Sequence, residues 1–445
     1  MTTTRRAFVG GLTAASYGRV RGANDRVQVG LVGAGLIGTY HIGTFRKQPD
    51  VDVAAVCDVY QPRVEAGIAA AGGRAKPFRD FRKMLEDKEV QAVIVATPDH
   101  WHALMTILAC AAGKDVYVEK PMTLFVREGR WMTNAARRYN RIVQVGTQGR
   151  SAGHIPEVVA LFQSQHIGKV HKVHIATARN IMPGFGAPAD GACPRNLDYD
   201  MWLGPAPQRP YNLHRALYHF RWFWDYSGGQ MTNLGAHDLD FVYLLMNTRG
   251  PSSVFSAGGR LALSDDNGET PDTQDAILQY RGFNVTISIR EASGGRRQGG
   301  GTEFFGTKGS MTIGRNGYQV WPDQRIAPQK QIPPWSDPPG HPQPVAVEPG
   351  PRTEARKSEG EAEPMERHVR NFIDSVKSRK RPNADVEDGH LVATACHLAN
   401  ISLRLGRPVR WDPVKEEIVG DAEASRWIER PYRKPWDGVL RGMKL

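Results

Sequence analysis

Gly33, Gly35 and Gly38, in the run Gly33-Ala34-Gly35-Leu36-Ile37-Gly38, follow the apolar stretch Val27 to Val32. Asp58 comes twenty residues after Gly38, at the end of a second apolar stretch, Val51 to Cys57. Each of these residues has a task in holding a dinucleotide. The first glycine permits a tight turn, the second lets backbone approach a pyrophosphate, and the third lets helix and strand pack closely. Leu36 and Ile37 open the helix, so their amides are presented to the anion. A carboxylate at Asp58 accepts the adenine-ribose hydroxyls and repels a 2′-phosphate, which favours NAD over NADP. Arg63 leaves room for a phosphate, so NADP stays open as the less favoured cofactor.

Two further segments sit where strands should end. Thr97-Pro98-Asp99-His100-Trp101-His102 follows the apolar run Ala92 to Ala96, and Glu119-Lys120-Pro121 follows Asp115 to Val118. Both resemble hallmark motifs of the Gfo/Idh/MocA family, the group containing glucose-fructose oxidoreductase and inositol dehydrogenase. The resemblance implies that Lys120 sits between nicotinamide and substrate. It also implies that Glu119, and Thr97, Pro98 and His100 through His102, line the cofactor site. Physically, strand C-termini in a doubly wound sheet point at the ligand crevice. A cation beside the hydroxyl being oxidised stabilises developing alkoxide charge.

Further along, Asn233-Leu234-Gly235-Ala236-His237-Asp238-Leu239-Asp240 is similar to the family's Asp-x-Gly-x-His-x-x-Asp motif, with asparagine where the sugar dehydrogenases usually carry aspartate. If the segment is already helical, Asn233, His237 and Asp240 share one face. His237 is the natural general base, an imidazole near its free pKa. Asp240 is then placed to orient it, and Asn233, which cannot be a base, to orient substrate or imidazole. Gln148 and Arg150, where the chain leaves the first sheet, are candidates for cofactor or substrate contacts. The cluster Tyr218, His219, Arg221, Trp222 and Trp224 either binds a sugar face or is core packing. His100, His102, His237 and Asp240 do not form a complete ligand set at a diagnostic spacing, so no metal is expected.

The elements that must position these residues read as an α/β protein. Strands and helices alternate from residue 25 to 149, as in a Rossmann domain with a parallel sheet. Residues 150–445 read as an α+β domain with a large open, mainly antiparallel or mixed sheet. Its strands are Ser253 to Ser256, Asp275 to Tyr280 and Asn284 to Arg290, with tight glycine turns at Gly282 and Gly309. Pro333 to Glu363, rich in Pro, Gly and charge, reads as a long surface loop. Met365 to Ser378 and Gly389 to Leu405 read as amphipathic helices packing back on the first domain. At 445 residues, two cores are expected.

Lys and Arg outnumber Asp and Glu by 12, but they are scattered, and no nucleic-acid motif accompanies them. No apolar run approaches the roughly 20 residues of a membrane span. Four dispersed cysteines form no C-x-x-C pair. Residues 1–24 carry Arg5-Arg6 before Ala7-Phe8-Val9 and small residues, either a twin-arginine export signal or a disordered basic tail on a cytoplasmic enzyme. Two readings follow. In one, NAD accepts hydride from a sugar or polyol hydroxyl; in the other, tightly held NAD is recycled in a redox-neutral glycosidase, lyase or epimerase. The open sheet suggests a homo-oligomer, a dimer or tetramer.

Overall fold

A computed structural model describes residues 26–295, 301–325, 350–360, 364–440 and 443. The arginine-pair tail and most of the segment 333–363 lie outside the described residues. Val27–Val32 (β1), Val51–Cys57 (β2), Lys76–Phe78 (β3), Ala92–Val95 (β4), Asp115–Val118 (β5) and Val143–Val145 (β6) form one sheet. Its order is β3-β2-β1-β4-β5-β6, and every pairing is parallel. Each residue of β4 and β5 is buried, as required of strands covered by helices on both faces. The chain order reverses between β1 and β4, so a crevice opens beyond the C-terminal ends of these strands.

The helix after β4 runs Asp99–Ala111, four residues earlier than the apolar pattern around Ala103 suggests. Pro98, extended, caps it, and Asp99 supplies a carboxylate in its first turn. His100, Trp101 and His102 are therefore helical and buried.

Val170–Ala178 (β7), Ser253–Gly259 (β8), Thr273–Tyr280 (β9), Phe283–Arg290 (β10), Gly301–Gly306 (β11), Gly309–Gly314 (β12) and Gly317–Pro322 (β13) begin the second sheet. Gln324–Arg325 (β14) pairs with Gly350–Pro351 (β15), and Arg356–Glu359 (β16) pairs with β13. Val409–Asp412 (β17) and Glu417–Ile418 (β18) complete it. The order is β16-β13-β12-β11-β7-β10-β9-β8-β17-β18, mixed because β7 and β10 run parallel. The described part of the expected loop 333–363 thus contributes an edge strand. Arg356, Lys357 and Glu359 carry no apolar alternation, because an edge strand can keep polar side chains in water. Gly282 makes the β9–β10 turn at φ +90°, whereas Gly309 opens β12 after the turn at Thr307 and Lys308.

Two late helices tie the sheets together. Pro364–Ser378 buries Met365, Val369, Phe372 and Ile373 in the core of the first sheet. Val386–Leu405 places Val386 in that sheet's other core and Leu398 and Ile401 in the core of the second. The Phe372 ring lies edge-on to Phe45 and Tyr117, at 6.1 and 5.8 Å between centroids. Phe372→Ala removes a fully buried ring at this junction and should cost about 3–5 kcal/mol. Urea denaturation measures it; a loss under about 1 kcal/mol would mean that the helix is not held by this contact.

Candidate active site

One cavity of 780 Å³ runs from the glycine turn, past the ends of β4 and β5, to the second sheet. At its first end Gly33, with φ +91°, sits so close to β4 that a Cβ would lie 2.6 Å from the Ala96 carbonyl oxygen. Gly35, Leu36 and Ile37 line the cavity and begin the helix Leu36–Arg46, whose first amides have no intrahelical acceptor. Gly38 does not line it; a Cβ there would meet the Gly33 carbonyl oxygen at 1.9 Å, so this glycine serves helix–turn packing.

Asp58 lies at the C-terminal end of β2. Its Oδ2 accepts the Ala34 amide at 2.8 Å and its Oδ1 the Tyr60 amide at 2.9 Å. Burial pushes its pKa up, opposed by the Arg63 charge and these two donors. Arg63 and Arg79 also line this end. Thr97 and Pro98 form the wall beyond β4, and the buried Thr97 hydroxyl has no protein partner among the described residues. A backbone cradle that no side chain could share, open helix amides, an acid at the second strand and an orphan hydroxyl fit a dinucleotide.

Glu119 and Lys120 end β5. The Glu119 Oε1 is 2.7 Å from His41 Nε2 and 3.4 Å from the donating Gln148 Nε2. Burial alone would raise the Glu119 pKa, but His41 and the Lys120 charge outweigh it and hold it low. Lys120 Nζ donates to Asn233 Oδ1 at 2.7 Å. Burial, with Arg221 and Arg315 adding to it, brings the Lys120 pKa down to about 8, against the pull of Glu119.

The expected shared face of Asn233, His237 and Asp240 forms only in part: Asn233 and His237 line the cavity, and Asp240 does not. Helices Gly229–Asn233 and Gly235–Met246 break at Leu234. Asn233 lines the cavity, accepts Lys120 and donates its Nδ2 to Gln230 Oε1 at 2.9 Å; of its two expected roles, orienting substrate or imidazole, it makes no hydrogen bond to the imidazole. His237 lines the cavity in the next helix's first turn, and its ring makes no hydrogen bond among the described residues. Its pKa is not near the free value: burial, with Lys120 and Arg315, pushes it well below. The imidazole is therefore neutral at pH 7.

Asp240 faces away. It receives Arg150 Nε at 2.8 and 2.9 Å, an ion pair buried outside the cavity wall. Asp240 thus does not orient His237, and Arg150 does not meet substrate. Arg150 is drawn inward because Asp240, Asp388 at 3.2 Å and the Asn383 carbonyl oxygen at 3.4 Å lower the cost of burying its charge.

His100 Nε2 and Trp101 Nε1 both lie 3.0 Å from the Trp202 carbonyl oxygen. Burial drives His100 down to about 3. His100 is thus a neutral docking residue for the segment around Trp202, off the cavity wall, whereas Trp101 reaches that wall. His102 bridges the Pro121 and Thr97 carbonyl oxygens at 2.7 and 2.9 Å. It holds two turns of the site in register without lining the cavity.

Tyr218, Arg221 and Trp222 line the cavity; His219, tilted against Phe185 with ring centroids 4.1 Å apart, and Trp224, under Arg404, do not. The cluster therefore divides between site and packing. Sequence reasoning missed Asp99, His41, Arg179, Arg315 and Asn316. Asp99 stood inside a quoted motif, and its carboxylate accepts the Ser227 hydroxyl. The others come from helix, strand-end and hairpin positions with no local signal.

Comparison with known proteins agrees with this architecture. Residues 27–147 match the model of the oxidoreductase family with an NAD-binding Rossmann fold, GFO_IDH_MocA, and residues 182–257 and 355–438 match its C-terminal alpha/beta domain. Myo-inositol 2-dehydrogenase of Thermotoga maritima is 25% identical over 289 residues, 64% of this chain and 74% of the relative. A glycosyl hydrolase family 109 protein of Shewanella baltica is 33% identical over 122 residues, 26% of this chain and 27% of the relative. The WlbA dehydrogenase of Bordetella pertussis, solved with NADH and UDP-GlcNAcA, superposes with TM-score 0.63 at 22% identity, covering 87% of this chain and 99% of that one.

Arg150→Ala leaves Asp240 buried without its cation and should cost about 3–5 kcal/mol. Thermal and urea unfolding measure this. A variant as stable as the parent, but with a raised KM, would return Arg150 to the substrate.

Proposed function

Because the chain belongs to the Gfo/Idh/MocA family and is an NAD-dependent oxidoreductase, we propose that it oxidises a sugar or polyol hydroxyl with Lys120 and His237 at the reacting centre. The observation that carries this reading is the convergence of both side chains on one wall of the cavity that holds the dinucleotide cradle. Bound NAD supplies the hydride acceptor. The imidazole of His237, neutral and open, accepts the hydroxyl proton as the carbon loses hydride and the C–O bond becomes a carbonyl. Lys120, protonated below about pH 8, stabilises the oxygen as charge develops. Asn233 fixes the direction of its ammonium, and Glu119 compensates its charge from behind.

The second reading, a redox-neutral glycosidase, rests on the family 109 match, which spans only 122 residues. It uses the same residues and differs in returning the hydride. An exported enzyme, with residues 1–24 as its signal, would favour it by lacking a pool of exchangeable NAD. Assembly through the open face of the second sheet, whose exposed side chains include Phe255, Ile277 and Trp321, belongs to the same proposal.

Absorbance at 340 nm with a panel of sugars and polyols, alongside product analysis without added NAD, separates the readings. Growth of NADH with added NAD supports the dehydrogenase; product without net reduction supports the recycling enzyme. His237→Ala and Lys120→Ala should each lower kcat by about 10²–10⁴-fold while NADH fluorescence still reports binding. Unaltered turnover in either would remove that residue from the mechanism.

The pH profile carries a sign. The Lys120 ammonium persists below about pH 8 and is lost above it, so kcat/KM should fall through that value. His237, already neutral, should give no limb between pH 6 and 7. Asn233→Asp puts a carboxylate against the ammonium, raises its pKa, and should move the alkaline limb upward by about one unit. A limb that stays in place would show that Lys120 is not the group titrating.

A further inference from the structure

Beyond the cradle, four cations from separate parts of the chain line the other end of the cavity. Lys120 ends β5, Arg179 follows β7, Arg221 lies in the turn His219–Trp222, and Arg315 tips the β12–β13 hairpin. Lys120, Arg179 and Arg221 are half-buried and Arg315 is exposed at the rim; like charges gathered on such a wall cost free energy unless an anion answers them. Here the repulsion is felt within the site: Arg221 and Arg315 both lower the Lys120 pKa, and Lys120 and Arg315 lower that of His237.

The neighbouring carboxylates do not answer all of it. Glu291, fully buried, is held by Arg179 and accepts Trp222 Nε1 at 2.9 Å. Glu119 acts on Lys120 and is also paired with His41, so it reaches neither arginine. Asp99 accepts the Ser227 hydroxyl, and burial pushes its pKa up although the Lys120 and Arg221 charges reach it, so it answers them only in part. Asp238, which the Arg315 charge reaches, lies 3.4–3.5 Å from the Thr302 and Thr177 hydroxyls, and burial raises it to about 6. Arg221 packs on the Phe220 ring with its guanidinium carbon 4.8 Å from the centroid. Neither Arg221 nor Arg315 has a salt bridge among the described residues. The glycine turn and helix amides at the opposite end would hold a dinucleotide's pyrophosphate there, so that anion would not answer these cations.

We propose that the substrate is an anionic sugar, a sugar acid or a sugar phosphate, whose carboxylate or phosphate is bound by Arg221 and Arg315 beside the hydroxyl being oxidised. The proposal rests on the oxidoreductase reading above. The planar guanidinium fork matches the oxygens of either anion. Charge on the substrate offsets the cationic wall that a neutral polyol would leave uncompensated. Tyr218, exposed, flanks the same region and offers its ring to the sugar, while Trp222 lines the cavity with a buried ring that Arg179 already covers.

The test is a titration of the full-length protein with NADH bound, following cofactor fluorescence as glucuronate, glucose 6-phosphate or glucose is added. At least one anion should bind about tenfold or more tightly than glucose, with the advantage shrinking as salt rises. Glucuronate alone binding assigns the carboxylate; glucose 6-phosphate alone assigns the phosphate. Arg221→Gln and Arg315→Gln should each weaken the anion about tenfold while leaving the NADH affinity intact, which also reports folding. Equal binding of glucose and both anions, no binding of either anion, or anion binding indifferent to both substitutions would overturn the proposal. The oxidoreductase reading fails separately. Anions that bind without reduction of NAD or any product would sink that reading and leave the anion site standing; reduction of NAD by neutral polyols with no anion preference would do the reverse.

Discussion

The hydrogen bond from Lys120 to Asn233 joins the two halves of the molecule at the point where chemistry takes place. A lysine at the end of a buried parallel strand is costly to keep charged. The Asn233 oxygen offsets part of that cost without adding a negative charge, and Glu119 behind it offsets more. The result is an ammonium that is directed and easily deprotonated. Its direction depends on the helix Gly229–Asn233, whose place depends in turn on the helix Val386–Leu405 packed against it. A small displacement of the second sheet therefore reaches the reacting centre directly.

Electrostatics along the cavity follow from the same arrangement. At one end, glycine backbone and helix amides present partial positive charge in a fixed geometry, with Asp58 spending two of its lone pairs on holding the turn itself. At the other, whole cations gather. Between them His41 and Glu119 form a buried pair with Glu119 at the cavity wall, so the charge at Lys120 is compensated from within the fold.

The parallel sheet and the glycine turn were legible in the sequence because both are local. Strands β1 and β2, the glycine spacing and Asp58 lie within about thirty residues, and each reports its own surroundings. Lys120 and His237 were legible through motifs. Their partners were not, because partnership is set by tertiary packing. The i, i+3 and i, i+4 spacing of Asn233, His237 and Asp240 promised one face, yet the pull of Arg150 took Asp240 off the cavity that Asn233 and His237 share. Arg315 carries no signal at all: a hairpin arginine is an ordinary solvated charge until the fold carries it to the cavity mouth. The helix start at Asp99 was hidden by Thr97-Pro98, which reads as a loop.

The helix Val386–Leu405 has its first residue in one core and its later turns in the other, while Pro364–Ser378 fills a groove of the dinucleotide-binding sheet. Removing the last eighty or so residues would therefore strip apolar cover from the N-terminal module, not merely shorten the chain. This nucleotide-binding unit is not portable. A genetic fusion or truncation that respects the sheet boundary near residue 149 would still cut through a shared interior, so recombination between relatives must exchange the front and the tail of the gene together.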